Sequence, residues 1–281
     1  MQFPAEVPLS TQAYDFLAAL IYDRSRIRLG ADKQSLVSSR LAQRLRDLSL
    51  ESFEEYCRLL QSQVAEDEIG TLIDLISTNH THFFREQAHF DILARDILPT
   101  MASRLGPLQR PFRIWSAAAS SGEEVYSLAI TLAEFTRLRP AFSWHIDASD
   151  ISRRMLDRCR RGIYAANKVE LPSRELLERY FQRGFGVQEG YYRVKAELRR
   201  HVTIEHINLF QPLYPLPKGF DVIFCRNVMI YFDVPSRELL IQRLTEQLSP
   251  GGYLFVGHSE SLIGVRHQLQ SVWPSVYCRP L

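Results

Sequence analysis

Long apolar runs are missing from this sequence. No stretch approaches the ~20 residues that a membrane-spanning helix needs, so no direct membrane insertion is expected. The opening segment, Met1-Gln-Phe-Pro-Ala-Glu-Val-Pro8, lacks the basic-then-apolar order of a secretory leader. Cysteine is scarce and scattered. Cys57, Cys159, Cys225 and Cys278 form no C-x-x-C pair, which argues against a zinc cluster or a thioredoxin-type motif. Cys225 and Cys278 stand in apolar, strand-like segments where a thiol is inert packing. These absences lead us to expect a soluble protein of a reducing cytoplasm. A charge excess is also absent: 34 basic against 32 acidic residues leave a net charge of +2. Nucleic-acid enzymes favour a clearly cationic surface, so no nucleic-acid partner is expected. Repeats and low-complexity tracts are lacking as well.

What is present is enough apolar material for a sizeable core, 46% of 281 residues, at a length that suits two domains. Residues up to about 70 read as helical. Val37, Leu41, Leu45 and Leu48 make one stripe at helical period, and Ser52-Phe-Glu-Glu55 is a capping box that opens a further helix. Helical character continues to Leu98 with a polar interruption at Ser77-Thr-Asn-His-Thr81. From Pro111 the pattern changes to short apolar runs alternating with amphipathic helices. Strands are expected at Phe112–Ala117, Phe142–Ala148, Val202–Ile207, Phe220–Cys225 and Tyr253–Gly257. Helices are expected at Tyr126–Phe135, Ser152–Arg161 and Pro235–Leu248, the second stopped by Gly162 and the third closed by Pro250-Gly-Gly252. Such alternation implies a parallel sheet covered on both faces. Tyr180 to Val194, with Gly184, Gly186 and Gly190 between aromatic runs, reads as an antiparallel hairpin insertion. The expected domains are 1–76 (helical), 77–110 (a linker helix carrying site residues) and 111–281 (α/β), with the insertion at about 178–201.

In open α/β sheets ligands bind beyond the carboxyl ends of the strands. The first strand runs into Ser116-Ala-Ala-Ala-Ser-Ser-Gly-Glu-Glu124, whose small residues admit a ligand closely. It is not G-x-G-x-x-G, and two carboxylates at a helix start repel a pyrophosphate while suiting an aminoacyl ammonium. The second strand ends in Asp150, placed to accept ribose hydroxyls. Together these favour S-adenosylmethionine over NAD or ATP. The bland reading makes Glu123, Glu124 and Asp150 helix-start residues stabilised by the helix dipole.

Several segments resemble the signatures of the chemotaxis protein-glutamate methyltransferases, the CheR family. They are Thr78-Asn-His-Thr-His-Phe-Phe-Arg-Glu86 with His89-Phe90, Trp115 to Glu124, Ala148-Ser-Asp-Ile151, and Arg161-Gly-Ile-Tyr164. Phe220-Asp-Val-Ile-Phe-Cys-Arg-Asn-Val-Met-Ile-Tyr-Phe-Asp233 and Leu248 to Glu260 complete the set, in order over nearly the whole chain. Ser121 and Val125 depart from it, standing where threonine and proline are common. The resemblance implies a class I S-adenosylmethionine-dependent methyltransferase, a doubly wound and mostly parallel α/β sheet. An N-terminal helical domain and an inserted small antiparallel β-subdomain would accompany it. The product would be S-adenosyl-L-homocysteine, and the cytoplasmic helical region of chemoreceptors the substrate.

Carried over by position, the cofactor would touch Asn79, Thr81, Arg85, Glu123, Asp150, Asn208, Leu209 and Asn227, with Asp150 on the ribose and Glu123 at the aminoacyl end. Each has a structural alternative: Asn79 and Thr81 as caps, Leu209 as core, Asn227 as a turn. Arg85 and Tyr231 are the substrate-side candidates, the alternatives being an ion pair with Glu86 or Glu123 and ordinary packing. Lys33, Arg40 and Arg44 form a cationic column that could steer an acidic receptor or simply be a solvated face. Arg183, Gly184 and Gly186 resemble members whose β-subdomain binds a receptor's C-terminal peptide. His80, His82 and His89 fall on different helical faces without a ligand-like acidic partner, so no metal is expected. A monomer is expected. Two rivals are a methyltransferase of nucleic acid or small molecules, and an idle binding module. Against the first, Cys225-Arg-Asn-Val228 has no proline pair to shape an amine acceptor.

Overall fold

The computed structural model describes residues 7–62, 65–105 and 110–281. Met1–Glu6 of the leader reading, residues 63–64 of the helical stretch and 106–109 of the linker lie outside them. Four helices open the fold: α1 (Thr11–Ser25), α2 (Gln34–Asp47), α3 (Phe53–Leu60) and α4 (Glu66–Ile76). Their starts are set by local chemistry. The Ser10 hydroxyl accepts the Ala13 N–H, and the Ser52 hydroxyl accepts the Glu55 N–H at 3.2 Å. The reciprocal arm of the expected capping box shifts by one residue, because the Glu55 carboxylate accepts from the Glu51 N–H at 2.9 Å. Val37, Leu41 and Leu45, four residues apart on α2, are buried against Leu17, Ile21, Phe53, Tyr56 and Leu72 in one core. Truncating any of these leucines to alanine would cost about 2–5 kcal/mol. Leu48 is the C-cap of α2 and only half-buried.

After an irregular stretch at 77–86, α5 (Gln87–Ile92) continues through a π-helical turn, Leu93–Ile97, into α6 (Leu98–Leu105). The α/β unit follows: β1 (Phe112–Ser116), α7 (Glu123–Arg137), β2 (Trp144–Asp150), α8 (Arg153–Arg161), β3 (Ile163–Ala165), α9 (Arg174–Tyr180), β4 (Phe181–Arg183), β5 (Tyr191–Val194), α10 (Ala196–Arg199), β6 (Val202–His206), β7 (Phe220–Phe224), α11 (Val234–Gln247), β8 (Leu248–Phe255), β9 (Gln270–Trp273) and β10 (Val276–Cys278). Seven strands form one sheet in the order β6-β2-β1-β7-β8-β10-β9. The first five run parallel and β10 is antiparallel to both its neighbours. Both faces of the central strands are covered, and every residue of β7, Phe220 to Phe224, is buried. One face packs on α5, α6 and α7 through Phe90, Leu98 and Leu128; the other packs on α11 through Leu240, Ile241 and Leu244.

Three departures from the sequence reading have physical causes. Pro250-Gly-Gly252 does not close α11; it lies inside β8, where the register to β7 shifts between Phe220 and Val222 and Gly251 takes φ +73°. The strand therefore begins at Leu248, earlier than the apolar run suggested. β9 and β10 escaped the reading of strands, since strands of three and four residues carry little periodicity. The antiparallel insertion has three strands, ordered β3-β5-β4, so Ile163–Ala165 joins the hairpin from outside it. Among the described residues, no helix is long and apolar enough to cross a membrane.

Candidate functional site

The strand order changes direction between β1 and β7, so the loops after these strands diverge and leave a crevice. The helical domain covers it. Its N–H of Arg28 donates to the Tyr231 carbonyl at 2.9 Å, Tyr22 donates to Asp233 at 2.6 Å, and the Arg24 carbonyl accepts from the Asn208 amide at 2.6 Å. The resulting cleft has about 1330 Å³ of empty space, its open mouth included.

Its floor comes from the loop after β1. Ala117 and Ala118 keep that loop low, and Ser120 follows in the left-handed region at φ +48°. Gly122, at φ +98°, is obligatory: a Cβ there would stand 2.6 Å from Cys159 Sγ and 2.9 Å from the Tyr164 hydroxyl. Tyr164 in turn donates to the Ser121 carbonyl at 2.8 Å, so the inserted sheet anchors the loop. At the end of β2, Asp150 is 8% exposed, and its carboxylate accepts the Ser120 N–H at 2.8 Å and the Ser152 N–H at 2.9 Å. Burial raises its pKa against those two bonds. Each oxygen keeps a second lone pair for a ligand hydroxyl.

Beyond β7 the wall is built on buried charge. Arg226 donates to Glu124 at 3.1 Å, to Glu86 at 2.9 Å and to the Arg85 carbonyl at 2.5 Å, with Phe90 and Phe224 against its guanidinium. Burial would raise Glu86, but Arg226, Asn227 and the His258 N–H prevail and hold it at about 2. Glu124 is pushed up by burial and restrained by Arg226. Asn227 sits at φ +57°, and its N–H donates to Glu260 at 2.6 Å. Glu260 also accepts from Gly257 at 2.7 Å and Ile230 at 3.2 Å, so one buried carboxylate shapes the turn that presents Tyr231.

Asn79, Thr81, Arg85, Asp150, Asn208, Leu209, Asn227 and Tyr231 all line this one cleft. Arg85 does not pair with Glu86 or Glu123; its guanidinium donates to the His80 carbonyl at 2.7 Å. The Asn208 side chain is partly committed, since its Oδ1 accepts the Phe210 N–H at 2.9 Å. Glu123 is not brought to the wall. It accepts from the Ser121 hydroxyl at 2.7 Å, with Arg158 and Lys168 nearby, and the turn of α7 puts Glu124 on the cleft instead.

The cationic column divides. Lys33 and Arg40 line the cleft, while Arg44 pairs with Glu68. Arg40 donates to the Ile76 and Ser77 carbonyls and to Thr78, fastening the stretch that carries Asn79 and Thr81. Arg183, Gly184 and Gly186 lie apart, in a shallow hollow on the inserted sheet shared with Phe185 and Glu189.

The histidines regroup. His80 and His82 stay together with ring centroids 6.1 Å apart, whereas His89 is buried and joins Glu86 and His258. A cation there would face Arg226, which already holds Glu86, and burial together with Arg226 keeps His89 neutral with a pKa of about 3. Sequence reasoning weighed Glu124 beside Glu123 without choosing it for the site, and assigned no site role to Glu86, Arg226, Glu260 or Arg28. The signal for Arg226 was a charge directly after the apolar run Val222–Cys225.

A cleft over the carboxyl ends of a β6-β2-β1-β7-β8 sheet, with a carboxylate at the end of the second strand, suits an adenosyl ligand. Comparison with known proteins settles the family. The family described as "CheR methyltransferase, SAM binding domain" matches residues 79–278, and "CheR methyltransferase, all-alpha domain" matches residues 12–77. The chain belongs to the CheR methyltransferase family. It is 40% identical over 277 residues to a chemotaxis protein methyltransferase of Salmonella typhimurium, covering 99% of this chain and 93% of that one. Against the Escherichia coli protein so named the identity is 38%, covering 99% and 94%. Against chemotaxis protein methyltransferase 2 of Pseudomonas aeruginosa it is 42% over 258 residues, covering 92% and 89%. As a CheR methyltransferase the protein is an S-adenosylmethionine-dependent enzyme. The donor set fits the group: Asp150 for paired hydroxyls, Ile207 and Leu209 for an apolar ring, and Glu124 on the wall for positive charge.

Proposed function

We infer that this enzyme methylates glutamate side chains of chemoreceptors, giving glutamyl methyl esters. The observation that carries the reading is Asp150, fixed by two backbone N–H groups in the cleft with lone pairs to spare, in a chain of this family. Bound there, S-adenosylmethionine supplies a methyl group activated by its sulfonium. The chain's own work is alignment and exclusion of water. A glutamate is ionised at neutral pH, with a reference pKa of ~4.3, so no general base is needed. Well-oriented reactants account for roughly 7–11 kcal/mol of barrier lowering. Arg85 orients the incoming carboxylate; its bond to the His80 carbonyl commits one guanidinium nitrogen and leaves the other donors for the substrate. Tyr231 lines the same cleft and would border the incoming carboxylate.

Lys33 and the exposed Arg28, both at the cleft, would steer an acidic helical substrate toward it. The inserted sheet has open edges at β3 and β4, with Phe185 82% and Val187 97% exposed beside Arg183. That chemistry suits an extended acidic peptide with an aromatic end, added as a strand.

Transfer of tritiated methyl groups to receptor-bearing membranes tests the reading. Base-labile, volatile label on the receptor is expected; stable label on nucleic acid, or none, would overturn it. Asp150→Ala should weaken S-adenosylhomocysteine binding by about 10- to 150-fold in calorimetry, the range for hydrogen bonds to a charged group.

A further inference from the structure

Helix α8 carries charge that neither its own folding nor the reaction uses. It starts at the cleft, since Asp150 and Ile151 line the cleft and Ser152 is the N-cap, and it ends at Gly162, where the inserted sheet begins with β3. Five of its nine residues are arginines. Met155, Leu156 and Cys159 bury the inner face, while Arg153, Arg154, Arg158 and Arg161 are exposed. Arg154, Arg158 and Arg161, at helical spacings of four and three, make one row about 10 Å long. The single acidic residue of the helix, Asp157, is taken by Arg160 at 2.9 Å. Among the described residues no carboxylate pairs with Arg153, Arg158 or Arg161. Lys168, also exposed, lies close to Arg158, because both act on the buried Glu123. The helix dipole accounts for cations in the last turn, but it repels Arg153 and Arg154 in the first, where no acidic residue stands. Only Arg154 has a compensating bond there, to the Asp74 carbonyl at 3.3 Å. With a net charge of only +2 over the chain, this concentration of unpaired cations is local.

We propose that the arginine row of α8, extended by Lys168, is a docking surface for an acidic helical segment of the substrate receptor, next to the glutamate held in the cleft. The inference rests on the receptor reading of this enzyme and adds a second contact to it. A receptor segment that offers glutamates as methyl acceptors is acidic by nature, so its charge complements the row. The row also runs from the rim of the cleft to the inserted sheet, so a segment lying on it stays in reach of both. A membrane surface fits less well. Basic interfacial helices insert their apolar face into lipid, and here that face is spent on the core.

Methyl transfer by the full-length enzyme to a soluble cytoplasmic fragment of a receptor, and to the same receptor in anionic vesicles, tests this. The double variant Arg158→Glu/Arg161→Glu should raise KM for the fragment by about 5- to 10-fold, the scale for reversing two rim charges. Its kcat and its affinity for S-adenosylhomocysteine should stay at wild-type values, and kcat/KM should depend less steeply on salt. Arg158→Gln/Arg161→Gln, which removes the charge without reversing it, should raise KM in the same direction by less. The control Arg95→Glu/Arg139→Glu makes the same charge change at exposed arginines, one on the π-helical turn and one beyond the far end of α7. An equal rise in the control would overturn the proposal, as would no rise in either α8 variant. A loss confined to receptor in anionic vesicles would assign the row to lipid and overturn it too. So would a fall in kcat or in S-adenosylhomocysteine affinity in place of the KM effect. No transfer to any receptor by the wild type would instead sink the receptor reading itself.

Discussion

The sheet and the helical domain that meet at the cleft use the same residue types under opposite conditions. On the sheet side, Arg226 is 5% exposed and holds two carboxylates, Glu86 and Glu124, against aromatic rings. On the helical side, Arg24 holds Glu66 in a two-pronged pair whose side chains are 39% and 74% exposed. Burial makes every partner of Arg226 indispensable, because an unpaired ion there has no water to turn to. Solvent makes the Arg24 pair nearly optional.

Removing each arginine measures that contrast. Arg226→Met keeps the bulk but leaves Glu86 and Glu124 buried without a cation, and denaturant unfolding should show a loss of about 3–5 kcal/mol. A loss below about 1 kcal/mol would mean that the carboxylates find other partners and that the wall is not over-determined.

The intermediate effect is on pH. His89 resists protonation down to about 3, whereas in the unfolded chain it charges near its ordinary value of 6.5. The unfolded state then binds the extra proton, so stability present above pH 6.5 is lost as the pH falls toward 3. Between pH 7 and 5.5 the wild type should lose about 1 kcal/mol from this group. His89→Phe, apolar beside Phe224 and Phe255, should flatten that slope in melting curves. An unchanged slope would place the acid sensitivity elsewhere. Glu86, held at about 2, adds a separate loss once the pH falls below its ordinary 4.5. The smallest effect is expected for Arg24→Ala, at most about 1 kcal/mol and shrinking with added salt. A larger cost would show that the helical domain is as tightly determined as the sheet.

How much was legible beforehand follows the same division. Ser152 and Gly162 bracket α8 as expected, with the Ser152 hydroxyl accepting the Met155 N–H and Gly162 left-handed, because caps act within a few residues. The Val37, Leu41 and Leu45 stripe was equally plain, since periodicity alone decides which face of a helix is buried. Glu123 and Glu124 could not be told apart: both sit in the first turn of α7, and only the packing of Arg226 from β7, 102 positions away, selects the second. The grouping of His89 with Glu86 and His258 was invisible for the same reason.

By itself the sequence determined the class of fold, the motif-bearing loops and the carboxylate at the end of β2, since short-range caps, apolar period and strand-end position are written along the chain. Only the tertiary structure decided which acidic groups face the cleft and which arginines are spent on structure. Those outcomes depend on burial and on partners distant in sequence, and an electrostatic or hydrogen-bonding role has no value until water has been excluded around it.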